Sequence, residues 1–304
     1  VVEVPEPAIG LTSRRRPRVG VAGWSYPDWE GIVYPKSSGL DRLAYLVRFF
    51  ETIEINSPFY RIPSSRTTAS WARRCHDAPE FRFTVKLYRG FTHERNAGTT
   101  EAHEFRQALA PLKEAGVLGA LLLQFPWSFK NDSASRRYLD ELLESFGDYP
   151  LVIEVRHASW NEPELLSELQ RRRVGFCNID QPVIGRSLEP SGLSTGPVGY
   201  VRLHGRNYAD WFREEAGRDA RYDYLYSEEE LDPWMDRISE IADHAAETYV
   251  ITNNHFQGQA VVNALQIRSR LEHRRVKAPG AVVERYPTLR PFVTSDVPEQ
   301  GRLF

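Results

Sequence analysis

Ionisable and amide side chains recur at the C-terminal ends of short apolar runs in this chain. Glu54 and Asn56 close one run (52–56), Lys86 another (82–87), Gln124 a third (119–125) and Glu154 with Arg156 a fourth (151–156). Asp180 closes a fifth (174–180), Arg202 and His204 a sixth (199–204), and Asn253, followed by Asn254, a seventh (248–253). Three chemistries suit such a set. Glu54 and Glu154 could act as an acid/base pair in glycoside cleavage. Glu154, Asp180 and His204, with His157 as a further candidate, could hold a divalent metal that activates water, leaving Glu54 as general base. Lys86, Arg156 and Arg202 could grip an anion, most simply a phosphate, assisted by amides from Asn56, Gln124 and Asn253. No H-x-H, H-E-x-x-H or D-x-D spacing singles out the metal reading. His93, in the stretch Gly90–Phe91–Thr92–His93, is a candidate for substrate contact from a loop.

These residues need elements that bring them together. Strands are expected at 18–23, 52–56, 82–87, 119–125, 151–156, 174–180, 199–204 and 248–253. Helical periodicity falls at 40–50, 64–76, 101–115, 133–146, 161–173, 227–247 and 257–272. Asn161 and Ser227 read as N-caps, and Ser227 with Glu230 as a capping box before an apolar face of Leu231, Trp234, Ile238 and Ile241. Strands alternating with helices imply parallel pairing, and eight such units predict a single-domain α/β fold, a (β/α)8 TIM-like barrel. The gap between the sixth and seventh strands is short and carries Pro182, Pro190 and Pro197, so a full helix is not expected there. An open doubly wound sheet is the alternative, but the first strand leads into Gly-Trp-Ser-Tyr-Pro-Asp-Trp, without a dinucleotide glycine fingerprint. No nicotinamide, flavin or pyridoxal phosphate motif and no P-loop is present.

Side chains along a strand alternate between faces. Glu54 and Asn56 share a parity, as do Lys86 and Thr84, Glu154 and Arg156, Asn178 and Asp180, and Arg202 and His204. This places the set on one face, at the strand ends where barrel active sites lie. A structural reading competes: Glu54, Glu154 and Asp180 could pair with Lys86, Arg156 and Arg202 as a buried network. Buried ion pairs are weak stability devices, which favours a ligand. The parity of His157 points it away from the interior.

The chain has 304 residues, a net charge of -2, 41% hydrophobic and 26% charged residues. That balance suits a soluble globular protein and excludes coating nucleic acid by bulk positive charge. Two cysteines, Cys75 and Cys177, make neither a disulfide scaffold nor a zinc cluster, so a reducing, cytoplasmic compartment is the expectation. No apolar run is long enough to span a membrane, so no membrane partner is expected. Residues 1–17 are expected to be a flexible lead-in with no secretory h-region, and Arg14, Arg15 and Arg16 a solvated trio. The barrel is assigned to 18–272 and a Pro-interrupted, partly ordered tail to 273–304.

Aromatic residues crowd the same strand ends: Trp24, Tyr26, Trp29, Phe59, Tyr60, Phe125, Trp127 and Trp160, then Tyr208, Trp211, Phe212, Tyr222, Tyr224 and Tyr226. They could stack on sugars or bases, or anchor their loops. The runs G-W-S-Y-x-D-W-x-G-x-x-Y-P (23–35), E-I-N-S-x-F-Y-R (54–61), L-x-Q-F-P (122–126), E-x-R-H-x-S-W (154–160), R-L-H-G-R (202–206) and N-N (253–254) resemble the YecE-type family, domain of unknown function 72. F-x-x-K (83–86) and T-H (92–93) belong to the same pattern. The resemblance spans 18–272 and implies a TIM-like barrel and a site, with no established activity; an apurinic-site endonuclease has been the speculation for the family. The chain departs from that pattern at Thr252, where an aromatic residue is common, and at Pro58. Residues 300–304 are similar to the Q-x-x-L-F peptide of sliding-clamp ligands, with Gln300, Leu303 and Phe304 as docking residues. The expected function is hydrolysis of a phosphate-containing substrate, metal-dependent and linked to nucleic-acid repair, with DNA and the clamp as partners. The alternatives are a two-carboxylate carbohydrate enzyme and a non-catalytic binder of anionic ligands.

Overall fold

The computed structural model describes residues 16–36, 39–211, 213 and 217–295. Arg14, Arg15, Phe212, Gln300, Leu303 and Phe304 lie outside the described residues.

Eight parallel strands close into a barrel in sequence order. They are β1 Arg18–Ala22, β2 Thr52–Ile55, β3 Arg82–Lys86, β4 Leu118–Gln124, β5 Leu151–Glu154, β6 Gly175–Asp180, β7 Val198–Leu203 and β8 Glu247–Thr252. All eight fall on the expected runs, with ends shifted by one or two residues. The runs are legible because strands covered on both faces are nearly continuously apolar. β8 pairs back onto β1, with Arg18 opposite Tyr249 and Val21 opposite Thr252.

The helices that carry the chain between strands are α1 Arg42–Val47, α2 Ser57–Tyr60, α3 Ser65–Arg74, α4 Arg89–Thr92, α5 Thr99–Glu114, α6 Ser133–Ser145, α7 Pro163–Arg172, α8 Gly217–Ala220, α9 Glu228–His244 and α10 Gln259–Glu272. α9 begins with the expected capping box: Ser227 Oγ accepts from the Glu230 amide, and the Ser227 amide donates to Glu230 Oε2 at 3.0 Å. Its Leu231, Trp234, Ile238 and Ile241 are all buried against the sheet. At α7 the expected cap is corrected. Glu162 is the N-cap and Pro163 takes the first helical position, whereas Asn161 closes a short 3-10 turn, Ala158–Trp160. Proline fits there because the first-turn amide has no intrahelical acceptor.

Between β6 and β7 residues 181–197 form no helix. The buried Asn178 side chain holds this segment instead. Its amide donates to the Leu193 carbonyl at 2.9 Å, and its oxygen accepts from Ser191 Oγ and the Leu193 amide, each at 2.7 Å. The segment after residue 272 carries more order than its prolines suggest. β9 Val276–Ala278 and β10 Val293–Ser295 pair in parallel, with α11 Gly280–Arg285 between them. Val276, Val282, Leu289 and Val293 are buried.

One irregularity shapes the interior. The β3–β4 register runs Phe83 to Leu118, then Thr84 to Ala120, passing over Gly119. A Cβ at Gly119 would lie 2.1 Å from the Tyr249 hydroxyl, so only glycine fits. Among the described residues no helix is long and apolar enough to cross a membrane.

Candidate functional site

The interior parity expected for β2, β3, β5 and β7 is the one found, and it builds a charged floor below the C-terminal mouth. Glu54 on β2 and Glu154 on β5 are completely buried. Arg202 on β7 lies between them, donating to Glu54 Oε1 at 2.7 Å through one terminal nitrogen and pairing with Glu154 Oε2 through the other. The Tyr200 hydroxyl, two residues earlier on the same face, donates to Glu54 Oε2 at 2.8 Å and lies 2.7 Å from Thr84 Oγ1. Arg156, just past β5, donates to Glu154 Oε1 from Nε at 3.0 Å and from a terminal nitrogen at 2.8 Å. Burial tends to raise the Glu154 carboxyl. Arg202, then Arg156 and His204, outweigh burial and hold it well below the ordinary range.

His204 is fully buried beside this pair. Its Nε2 is 3.4 Å from Glu154 Oε1, and Asn253 Nδ2 donates to its Nδ1 at 3.0 Å. An amide donor at Nδ1 assigns the proton to Nε2 and a neutral ring. Burial, then Arg202, brings its pKa down to about 3. Cys177 faces inward, its Sγ 3.9 Å from Glu154 Oε2, and burial and then Glu154 push its thiol far up, so it is not a nucleophile at neutral pH.

Above the floor opens a two-lobed cleft. The first lobe, about 320 Å³, is lined by Trp24, Tyr26, Asn56, Arg202, Asn253 and His255 among others. The second, about 450 Å³, is lined by His93, Arg89, Trp127, Gln181, Trp211 and Arg221 among others. Phe59, Tyr60, Lys86, Gln124, Arg156 and Tyr222 line both. Glu54, Glu154 and His204 line neither: they support the cleft from below. The first lobe's rim depends on Gly23, whose φ of +80° ends β1 in a turn. That turn lets the Tyr26 hydroxyl donate to the Ala22 carbonyl at 2.6 Å. Tyr26 in turn stacks on His255, with ring centroids 4.3 Å apart.

Two expected site residues are elsewhere. Asp180 is on the outer face of β6. Its carboxylate accepts from Arg206 at 2.6 and 2.8 Å, from the Tyr226 hydroxyl at 3.1 Å and from Trp234 Nε1 of α9 at 2.6 Å. Asn178 shares that outer face, so on β6 the inward residue is Cys177. Glu154, Asp180 and His204 therefore do not converge, and among the described residues no three His, Cys, Asp or Glu side chains form a metal-holding group. Asn254 points out to α10, donating to the Tyr224 carbonyl and to Asn263 Oδ1, each at 2.8 Å. His157 lies beyond the end of β5, where strand parity no longer applies, and is structural: Nδ1 accepts from the Ser159 amide at 3.1 Å and its ring abuts Trp127.

The aromatics divide. Trp24, Tyr26, Phe59, Tyr60, Trp127, Trp211 and Tyr222 line the cleft. Trp29 and Trp160 are loop anchors, donating from Nε1 to the His255 and Phe129 carbonyls, each at 2.7 Å. Phe125 stacks on Phe129, and Tyr226 serves Asp180. Tyr224 bonds Glu230, and Tyr208 is exposed. The lining also includes His255, Arg89, Gln181 and Arg221, which strand periodicity does not nominate. His255 was within reach, since it repeats the parity of Asn253; Arg89, Gln181 and Arg221 lie on helices and loops that alternation does not describe.

The outward Asp180 gives a clean separation of roles. Asp180→Asn is expected to lower unfolding free energy by about 2 kcal/mol, because the buried carboxylate's charge-assisted bonds to Arg206, Tyr226 and Trp234 are lost, while Arg206 keeps Glu230 at 3.5 Å. Ligand affinity of the cleft should be unchanged. Urea unfolding checks the first part; an equal loss of ligand affinity with intact stability would place Asp180 in the site after all.

Residues 18–286 match the family model described as "Protein of unknown function DUF72". The chain is 29% identical over 270 residues to UPF0759 protein YunF of Bacillus subtilis, covering 84% of this chain and 94% of that one. It is 24% identical over 201 residues to UPF0759 protein YecE of Escherichia coli, covering 65% and 66%. A crystal structure of a DUF72 family protein from Thermotoga maritima superposes with a TM-score of 0.75 at 36% identity, covering 85% of this chain and 100% of that one. One from Enterococcus faecalis gives 0.75 at 27% identity, covering 84% and 95%.

Proposed function

The chain belongs to the DUF72 family, and from that premise we propose that its barrel mouth binds a small organic anion, phosphorylated or carboxylated, whose body packs on the aromatic rim. The observation that carries this reading is the make-up of the cleft. Lys86, Arg89, Arg156, Arg202 and Arg221 line it, and no Asp or Glu does, among the described residues.

The charge that a ligand would meet is smaller than that roll suggests. Arg202 and Arg156 are offset by Glu54 and Glu154 below, and Arg89 pairs with Glu94 at 2.7 Å. Lys86 and Arg221 have no carboxylate partner among the described residues. The buried Nε atoms of Arg202 and Arg221 have no acceptor either. Donors left open in a partly dry cleft favour a ligand that brings acceptors. Two lobes of this size suit a small molecule.

The finer readings fare unequally. Metal-assisted phosphoester hydrolysis through Glu154, Asp180 and His204 loses its ligand set with Asp180. Glycoside cleavage by Glu54 and Glu154 needs both carboxylates to reach the sugar, and both are locked to Arg202 beneath the lining. Binding of an anion needs neither.

Calorimetric titration with inorganic phosphate, ribose 5-phosphate, adenosine monophosphate and ribose tests the proposal. The phosphorylated compounds are expected to bind, with affinity falling as salt rises, and ribose is not. Arg221→Gln should weaken them about tenfold, the loss of one charge-assisted hydrogen bond. Equal affinity for ribose and its phosphate, or no binding by any of them or by carboxylate analogues, would overturn it.

A further inference from the structure

We propose that Lys86 is a nucleophilic amine that forms an imine with an aldehyde or ketone bound in the cleft, a phosphorylated hydroxyaldehyde or hydroxyketone being the substrate class. This deepens the anion reading and rests on it only for the charged end of the substrate.

Position comes first. Lys86 ends β3 and lines both lobes, so its amine stands where they meet. Arg156, Arg202 and Arg89 are each tied to a carboxylate, but the Lys86 Nζ makes no hydrogen bond or ion pair among the described residues. It stands over an aromatic face, with Nζ 3.7 Å from the Phe59 ring centroid, a contact that favours the ammonium but offers no acceptor for its proton. A lysine that only neutralised the floor would be expected to reach Glu154 or Glu54, as both arginines do.

The groups around it act on its proton. Arg202 from β7 and Arg156 beyond β5 oppose the ammonium, while Glu154 on β5 and Glu54 on β2 favour it. Burial and Arg202 prevail, and the pKa falls to about 7. A neutral amine with a free lone pair is then abundant near neutral pH, whereas an ordinary lysine offers roughly one part in a thousand. His93 lies against the same Phe59 ring, with centroids 4.8 Å apart. Its Nδ1 is 3.0 Å from Thr92 Oγ1, leaving Nε2 for the cleft, and burial, then Lys86, lowers its pKa to about 4. It is a neutral base beside the amine.

The step balances without any further reagent. The Lys86 lone pair attacks the carbonyl carbon, forming the C–N bond, and the π pair moves to oxygen. One proton leaves nitrogen for His93 Nε2 and is returned to that oxygen, giving a carbinolamine. The nitrogen lone pair then forms C=N, and the oxygen departs as water after taking a second proton from solvent. Amine, carbonyl and one proton become a protonated imine and water.

The chain has five lysines, so Lys36, Lys113, Lys130 and Lys277 are internal controls. The full chain is incubated separately with glyceraldehyde 3-phosphate and with glyceraldehyde, reduced with borohydride, and mapped by peptide mass spectrometry. The imine at Lys86 is expected to form, and be trapped by hydride as the secondary amine, at least about tenfold faster than at the other four, with a half-maximal rate near pH 7. Lys86→Arg should abolish the fast adduct; its phosphate titration and unfolding midpoint report whether the cleft is intact. If that variant does not fold, the site-by-site rates in the unaltered protein decide alone. His93→Gln is expected to slow the adduct about tenfold or more, and its unfolding midpoint reports whether the cleft is intact. Adducts spread evenly over the five lysines, or none while inorganic phosphate binds, would overturn the imine and leave the anion reading standing. Fast labelling of Lys86 by glyceraldehyde in a protein that ignores phosphate would do the reverse.

Discussion

Arg202→Met is expected to lower the thermal midpoint by about 10 °C, one of the two largest effects of any single change considered. The residue is almost fully buried and touches two fully buried carboxylates. Removing it strands Glu54 and leaves Glu154 with Arg156 as its arginine partner. Arg156 still reaches Glu154, and Tyr200 still donates to Glu54, but neither supplies Glu54 with a counter-charge. Breaking a buried pair costs about 3–5 kcal/mol, and a kilocalorie shifts the midpoint of a domain of this order by about 2–4 °C. A triple change, Glu54→Leu, Glu154→Leu and Arg202→Met, is expected to recover part of the loss, because the apolar set carries no desolvation penalty while Arg156, which loses Glu154, still faces the open cleft. Calorimetry of the two variants checks this. A triple variant no more stable than the single one would show that packing, rather than stranded charge, governs the floor.

The second large effect is acid destabilisation set by His204. Its folded pKa of about 3 lies below the ordinary value of 6.5, so the unfolded chain binds a proton that the folded chain refuses. Stability is therefore full above pH 6.5 and falls as pH drops toward 3, at up to about 1.4 kcal/mol per unit. That amounts to about 3 kcal/mol between pH 6.5 and 4. His93 acts in the same sense down to about 4, discounted for its partial exposure. Glu154, held well below 4.5, adds its share only under that value. Lys86, at about 7, works the same way on the alkaline side: stability gains from it between pH 7 and 10.5. Unfolding midpoints from pH 4 to 8 should show the acid limb flattened by about one proton in His204→Gln, which can keep both hydrogen bonds. Parallel limbs in the two proteins would remove His204 as the cause.

How far the sequence led is clearest on single strands. Glu54, Lys86, Glu154 and Arg202 alternate with apolar neighbours on strands covered outside by helices, so polarity marked the inner face correctly. β6 broke the rule because its polar residues, Asn178 and Asp180, face outward, while Gly175, Cys177 and Ile179 take the inner parity. Cys177 touches the floor, while Asn178 and Asp180 secure the irregular segment and α9 from outside. Alternation cannot tell an inward charge from one that pins an outer layer. It also gives direction without depth. Glu154 and His204 are buried supports, whereas Arg156, two residues beyond Glu154, reaches the ligand space. The same one-residue step misplaced Asn254, which parity had already separated from Asn253. Arg221 and Gln181 come from segments without periodicity, where only the folded chain reveals proximity.

The missing helix between β6 and β7 has a bearing on how the cleft breathes. Elsewhere the outer layer is a helix whose many backbone bonds and apolar contacts open together. Over 181–197 the equivalent layer is held by the Asn178 amide, by backbone bonds from Ala158 to the Arg186 carbonyl at 2.7 Å and from Leu188 to the Arg156 carbonyl at 2.9 Å, and by Thr195 Oγ1 on the Val174 carbonyl at 2.7 Å. Such a segment can detach at a fraction of the global unfolding free energy, as an independent cooperative unit. Gln181 and Ser187 belong to that segment and also form part of the second lobe's wall. Local opening there and occupancy of the cleft are thus linked equilibria: a ligand touching that wall favours the closed form at a cost to its own apparent affinity, and this segment then reports whether the mouth is filled.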